Sequence, residues 1–263
     1  MNNTFNIHRF AALVRQGVMH DYKMYLISIC GFSGVLFILF FITQFNFGIS
    51  VIDPHSLVIM YVLTFIGAGL LYTGSAFGGF RSKEKSISYL LIPASRFEKF
   101  LSEYVSRVII FMLAFPVIFW LTYNLMGVIF GVLHPVFTFK YQDFFFVPPY
   151  VVEPGKVNPY PLIYSAALFV LTIPFTGATI FNKHPLIKTL FSVSLIFFFH
   201  LFLIYFFVEI LKFKNYNISP GETQIYLLPA SAEKAIVFFT TTFIVANIML
   251  TLIAYFKLKE KEV

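Results

Sequence analysis

A chain of 263 residues that is 59% hydrophobic, 20% aromatic and only 12% charged carries about half the charge of an ordinary soluble domain, which is roughly a quarter charged. This excludes a soluble globular protein and points to an integral membrane protein. The formal net charge of +7 would suit nucleic acid, but the basic residues gather at the ends of apolar runs, where lipid headgroups and the cytoplasm hold them; nucleic acid is not an expected partner.

In chain order, residues 5–22 mix Ile7, Phe10, Leu13 and Val14 with Arg9 and Arg15, a pattern that suits an interfacial helix lying flat among headgroups; a frayed tail is the alternative. Six apolar runs follow at about 24–43, 57–80, 108–132, 162–181, 189–211 and 235–256, each near the ~20 residues that cross the hydrocarbon. The expected fold class is therefore an all-α integral membrane protein with six transmembrane helices. The first run is too long for a signal-peptide core and is expected as an uncleaved span. Cys30 is the only cysteine and lies in that run, so no disulfide or cysteine metal site forms within one chain. With both ends on the same side, fourteen Lys and Arg fall on the side of the termini and five on the other. That bias places both termini and the 81–107 loop in the cytoplasm.

The 81–107 loop, RSKEKSISYLLIPASRFEKFLSEYVSR, combines dense charge with helical grammar. Ser95 and Glu98 have the spacing of a capping box, and Pro93 holds the chain out of the helix before it. Phe97, Phe100, Leu101, Tyr104, Val105 and Val108 fall on one face, with Arg96, Lys99, Ser102, Glu103 and Arg107 on the other. Glu103 and Arg107 are spaced for an i, i+4 pair. The spacing thus predicts a helix at a water boundary that continues into the third span.

The outer segment 134–160 holds five prolines and many aromatic residues, which predicts an irregular interfacial cap, with a short strand at 136–141 as one option. A second outer segment contains YLLPASAEK at 226–234, an echo of YLLIPASRFEK at 89–99. Two accounts stand: an inverted repeat of three spans plus three, or two helix starts with similar caps. Within the spans, Gly67, Gly74 and Gly78 share a face, and Gly127 and Gly131 form a second GxxxG spacing, expected to serve packing inside the chain. Pro116 and Pro174 should bend their helices.

His200 stands mid-span among Phe197, Phe198, Phe199, Leu201 and Phe202. A titratable group at that depth is a functional candidate; a neutral imidazole bonded to a neighbouring hydroxyl or carbonyl is the structural alternative. Asn124 and Asn247 are expected as interhelical hydrogen-bond partners. No HExxH, GxSxG, paired carboxylates or P-loop occurs, so the chain is not expected to be an enzyme, to hold a metal or to carry a cofactor.

The interfacial helix, the six spans with both ends inside and the capped loop helix together resemble the permease subunit of a type 2 ABC exporter. LLIPASRFEKFL at 90–101 is similar to the LPAS-x-x-EKF signature of such permeases from Bacteroidota. The resemblance implies one transmembrane permease domain over 1–263 in a bacterial inner membrane, with a coupling helix between spans 2 and 3. It implies that Lys83, Glu84, Lys85, Ser86, Tyr89, Arg96, Glu98 and Lys99 dock a separate ABC ATPase subunit, which binds ATP and Mg, and that a second permease copy or homologue completes the transporter. The long outer loop before the fourth span departs from the simplest members. Outside that family, a scaffold of a larger membrane complex or a lipid-acting enzyme built around His200 or Glu209 would fit the same composition.

Overall fold

The computed structural model describes residues 5–47, 54–78, 91, 94–133, 158–206 and 232–261. They form α1 (Ile7–Phe47), α2 (Pro54–Gly74), α3 (Arg96–Tyr104), a π turn (Val105–Ile109), α4 (Ile110–Leu133), α5 (Tyr160–Ile180), α6 (Pro185–Tyr205) and α7 (Ala232–Lys261). Among the described residues there is no strand. Six stretches are long and apolar enough to cross a bilayer, and the protein is an all-α membrane protein. The backbone groups of such spans have no water to bond, so the helix closes its own ladder. Thr43, Thr64, Thr73 and Thr122 turn their hydroxyls back onto carbonyls of the preceding turn for the same reason.

Two helices are longer than a whole bilayer with its headgroups, ~40–45 Å. The interfacial segment and first span are one helix of 41 residues, about 60 Å long at 1.5 Å per residue. The segment expected to lie as a separate helix at 5–22 is the N-terminal half of α1, with no break near Lys23. The local pattern of charge and apolar residues is the same whether or not a helix is interrupted, which is why the join is invisible in the sequence. Likewise, α3, the π turn and α4 run on without interruption, and Arg96–Val132 spans 37 residues, about 55 Å. Hydrocarbon covers about 30 Å, so the charged stretch 96–107 extends beyond it.

α1 lies on α4, α4 touches α2, α2 lies on α5 and touches α6, and α5 carries α6 and α7. The fourth span is the centre: 50% of its apolar window is buried, against 6% for the fifth and the sixth. Lipid offers no hydrophobic reason for helices to associate, so contact rests on close packing and a few hydrogen bonds. Between α1, α2 and α4 the packing is aromatic. Phe40 meets Phe119 and Tyr123 edge-on, and Tyr61 meets Phe115 and Phe119 in the same way. Between α5 and α7 hydrogen bonds join the ring contact of Phe169 with Phe243. The Thr172 hydroxyl donates to Asn247 Oδ1 at 2.6 Å, and Asn247 Nδ2 donates to the Ser165 carbonyl at 3.1 Å. Asn247 is thus the interhelical partner expected of it, whereas Asn124 bonds the Trp120 carbonyl one turn back in its own helix.

The glycines pack differently from their spacing. Gly74 lies against Leu186, but Gly67, Gly78 and Gly131 have nothing within 4 Å of an added Cβ. The tight crossings fall at Gly69, wedged between Leu171 and Phe111, and at Gly177, against Thr189.

The start of α1, the end of α7 and the start of α3 lie at one end of the bundle. Asn6 bonds Glu98, while Phe97 and Phe100 pack on Tyr255 near the end of α7. Phe175, close to the end of α5, touches Phe100 and Tyr104 there. This is the relative arrangement that the charge count requires. The segments 134–157 and 207–231, with the expected cap, the strand option, Glu209 and most of the 226–234 echo, lie outside the described residues.

Candidate functional site

Local chemistry fixes the start of α3. Ser95 is extended (φ −68°, ψ 153°) and its hydroxyl accepts the Glu98 N–H at 3.2 Å, while Glu98 Oε2 accepts the Ser95 N–H at 2.8 Å. The capping box is complete, as the Ser95 and Glu98 spacing predicts. The other oxygen of Glu98 leaves the helix. Oε1 accepts the backbone N–H of Asn6 at 2.7 Å and Arg9 Nη2 at 3.2 Å. Asn6 is itself the cap of α1, its Oδ1 accepting the His8 N–H at 2.9 Å, and Phe5 packs at a tilt on Phe10 as a hydrophobic staple. Phe5 also packs edge-on against Phe97.

Glu98 is fully buried. Burial works against its charged form, but the N–H groups of Ser95 and Asn6 and the Arg9 guanidinium outweigh it and hold the carboxyl below the usual carboxylate range. Because folding lowers this pKa, the stability it contributes is present above the ordinary carboxylate range and is lost as pH falls through the lowered value.

This geometry sorts the docking candidates. Arg96 has an exposed side chain. Glu98 and Lys99 are buried, at 0% and 5% exposure, so neither presents its side chain to a partner in this state; Glu98 serves a join between two helices instead. Lys99 was expected on the water-facing side. Lys83, Glu84, Lys85, Ser86 and Tyr89 lie outside the described residues.

The π turn that follows holds a second cluster, in which only the Glu103–Arg107 pair was legible. Arg107 Nε lies 3.7 Å from Glu103 Oε2, and Nη1 donates to Ser75 Oγ at 3.2 Å. Its guanidinium sits over the ring of Tyr72, 5.1 Å from the centroid, and 6.0 Å from that of Tyr25. The Tyr72 hydroxyl donates to the Ser106 carbonyl at 3.2 Å, meeting the backbone beside the wider turn. Three spans therefore converge where the polar and apolar parts of the third span join. A π turn breaks the regular ladder and is a common place for a helix to bend.

The His200 side chain is exposed on α6 and makes no hydrogen bond among the described residues. Phe197, Phe198, Phe199 and Phe202 beside it are exposed as well. Also among the described residues, no three His, Cys, Asp or Glu side chains gather in a way that could hold a metal ion. Comparison with protein-family models, with curated proteins and with solved structures finds no match to this chain.

Proposed function

We propose that this chain is the membrane-spanning permease subunit of an ATP-driven ABC exporter, powered by a separate ATPase subunit that docks on the 81–107 loop. The observation that carries the reading is α3: a capped, charged helix beyond the bilayer that runs through a π turn into the third span, at the same end as the start of α1 and the end of α7. A push on such a helix is converted into tilt of the span, and tilt is how an external motor biases inward-open and outward-open states. ATP and Mg belong to the partner. This chain contributes the path.

The reading places the charged end in the cytoplasm of a bacterium, on the inner membrane, with a second copy or a homologue of the chain completing the transporter. Exposed aromatic surface on the fifth span favours an amphiphilic, lipid-like substrate over an ion. Purification in mild detergent tests the class: a P-loop ATPase is expected to copurify in a fixed ratio. Recovery in a stable complex without any ATPase would favour a scaffold instead.

A further inference from the structure

Two helix N-termini and one guanidinium converge on a single buried carboxylate. Glu98 Oε2 serves α3 through Ser95, and Oε1 serves α1 through Asn6 and Arg9. Each N-terminus bears partial positive charge, so the carboxylate satisfies both helices with one oxygen apiece. The same partners meet again farther along. Arg107 lies over Tyr25, Phe32 packs on Phe115, and Phe40 packs on Phe119. α1 and the third span are thus fastened at the foot, the middle and the upper part. On its other side α3 meets α5 and α7 through Phe100, Tyr104, Phe175 and Tyr255, and ring contacts tolerate sliding better than charged hydrogen bonds of fixed geometry do.

We infer that Glu98 is a clasp that makes α1 and the third span one moving body. Displacement of the first turn of α3 then carries α1 with it. Resting on the permease reading above, an ATPase engaged on the 81–107 loop moves two spans together, and Glu98 is a positioning residue for that motion, not a contact with the motor.

Glu98→Gln separates the two tasks of the side chain. Its amide oxygen still accepts the Ser95 N–H, whereas its amide nitrogen faces the donors of Asn6 and Arg9. Arg9→Met releases one bond of the clasp and leaves the capping box intact. Hydrogen exchange of the full chain in lipid nanodiscs reads both ends. In Glu98→Gln the amides of residues 6–10 are expected to exchange roughly tenfold faster or more, as loss of charged hydrogen bonds requires, with 99–104 unchanged. Arg9→Met should give a smaller rise in the same segment. Unchanged exchange at 6–10 in both variants would overturn the clasp and leave Glu98 a cap of α3 alone; equal acceleration at 6–10 and 99–104 would overturn it as a general loosening of that end of the bundle.

With the ATPase bound, adding ATP is expected to alter exchange at 6–10 in the native protein and not in Glu98→Gln. No ATP response in the native protein, with the nucleotide-free result intact, would overturn the part of Glu98 in coupling while supporting the clasp. If no ATPase copurifies, the permease reading fails, and the nucleotide-free exchange still decides the clasp.

Discussion

Replacing Gly177 by valine is expected to destabilise the protein by about 3 kcal/mol, at the upper end of the usual range for overpacking. An added Cβ there falls on the Oγ1, Cβ and Cγ2 atoms of Thr189, the last two at 2.7 Å. Thr189 has nowhere to go. It is buried, and its hydroxyl is fixed to the Pro185 carbonyl at 2.7 Å. The turn between α5 and α6 gives no slack either, since Phe181 closes on Gly177 at 2.9 Å and His184 stands in the left-handed region at φ 51°. The two helices must therefore separate beside the centre of the bundle. Gly67→Ala is the control, with nothing within 4 Å of its added Cβ and an expected change within about 0.5 kcal/mol. Reversible unfolding in detergent measures both. Equal stability of the two variants would contradict the packing of α5 on α6.

Removing residues 83–86 is expected to abolish substrate-stimulated ATP hydrolysis by the partner while the chain still reaches the membrane. These four residues carry three charges just ahead of the capped helix, and no apolar span is shortened by their loss. Ser95 and Glu98 lie downstream of the deletion, and Asn6 and Arg9 far upstream of it, so α3 should still form. Coupling requires that a motor's displacement enter the third span through this loop, and a motor with no grip transmits none. Stimulation of ATPase activity in reconstituted vesicles, normalised to the amount of complex, is the readout. Native stimulation in the deletion variant would remove the loop from the docking surface.

The elements were legible because their causes are local. Span lengths follow from apolar runs, and the cap of α3 follows from a serine and a glutamate three residues apart. The Glu103–Arg107 pair follows from helical spacing. What the sequence hid is long-range. Glu98 reads as one half of a capping box, and nothing near it announces that its second oxygen bonds a backbone amide 92 positions earlier. Spacing drew attention to Gly67, Gly78 and Gly131, which stand in open space, while Gly177 belongs to no such motif and makes the closest approach. A lone glycine carries no spacing signal; only the crossing of two helices gives it a role. The Arg107 cluster was half visible for the same reason, since Tyr25, Tyr72 and Ser75 come from two other spans.

A photo-crosslinking amino acid placed at Arg96, the described docking candidate with an exposed side chain, tests most directly whether α3 receives a motor. After irradiation of intact cells, the account predicts an adduct with a cytoplasmic polypeptide that carries a P-loop. An adduct formed only with proteins on the outer side of the membrane would place this end of the bundle opposite to where the account requires it, and the motor could not reach it.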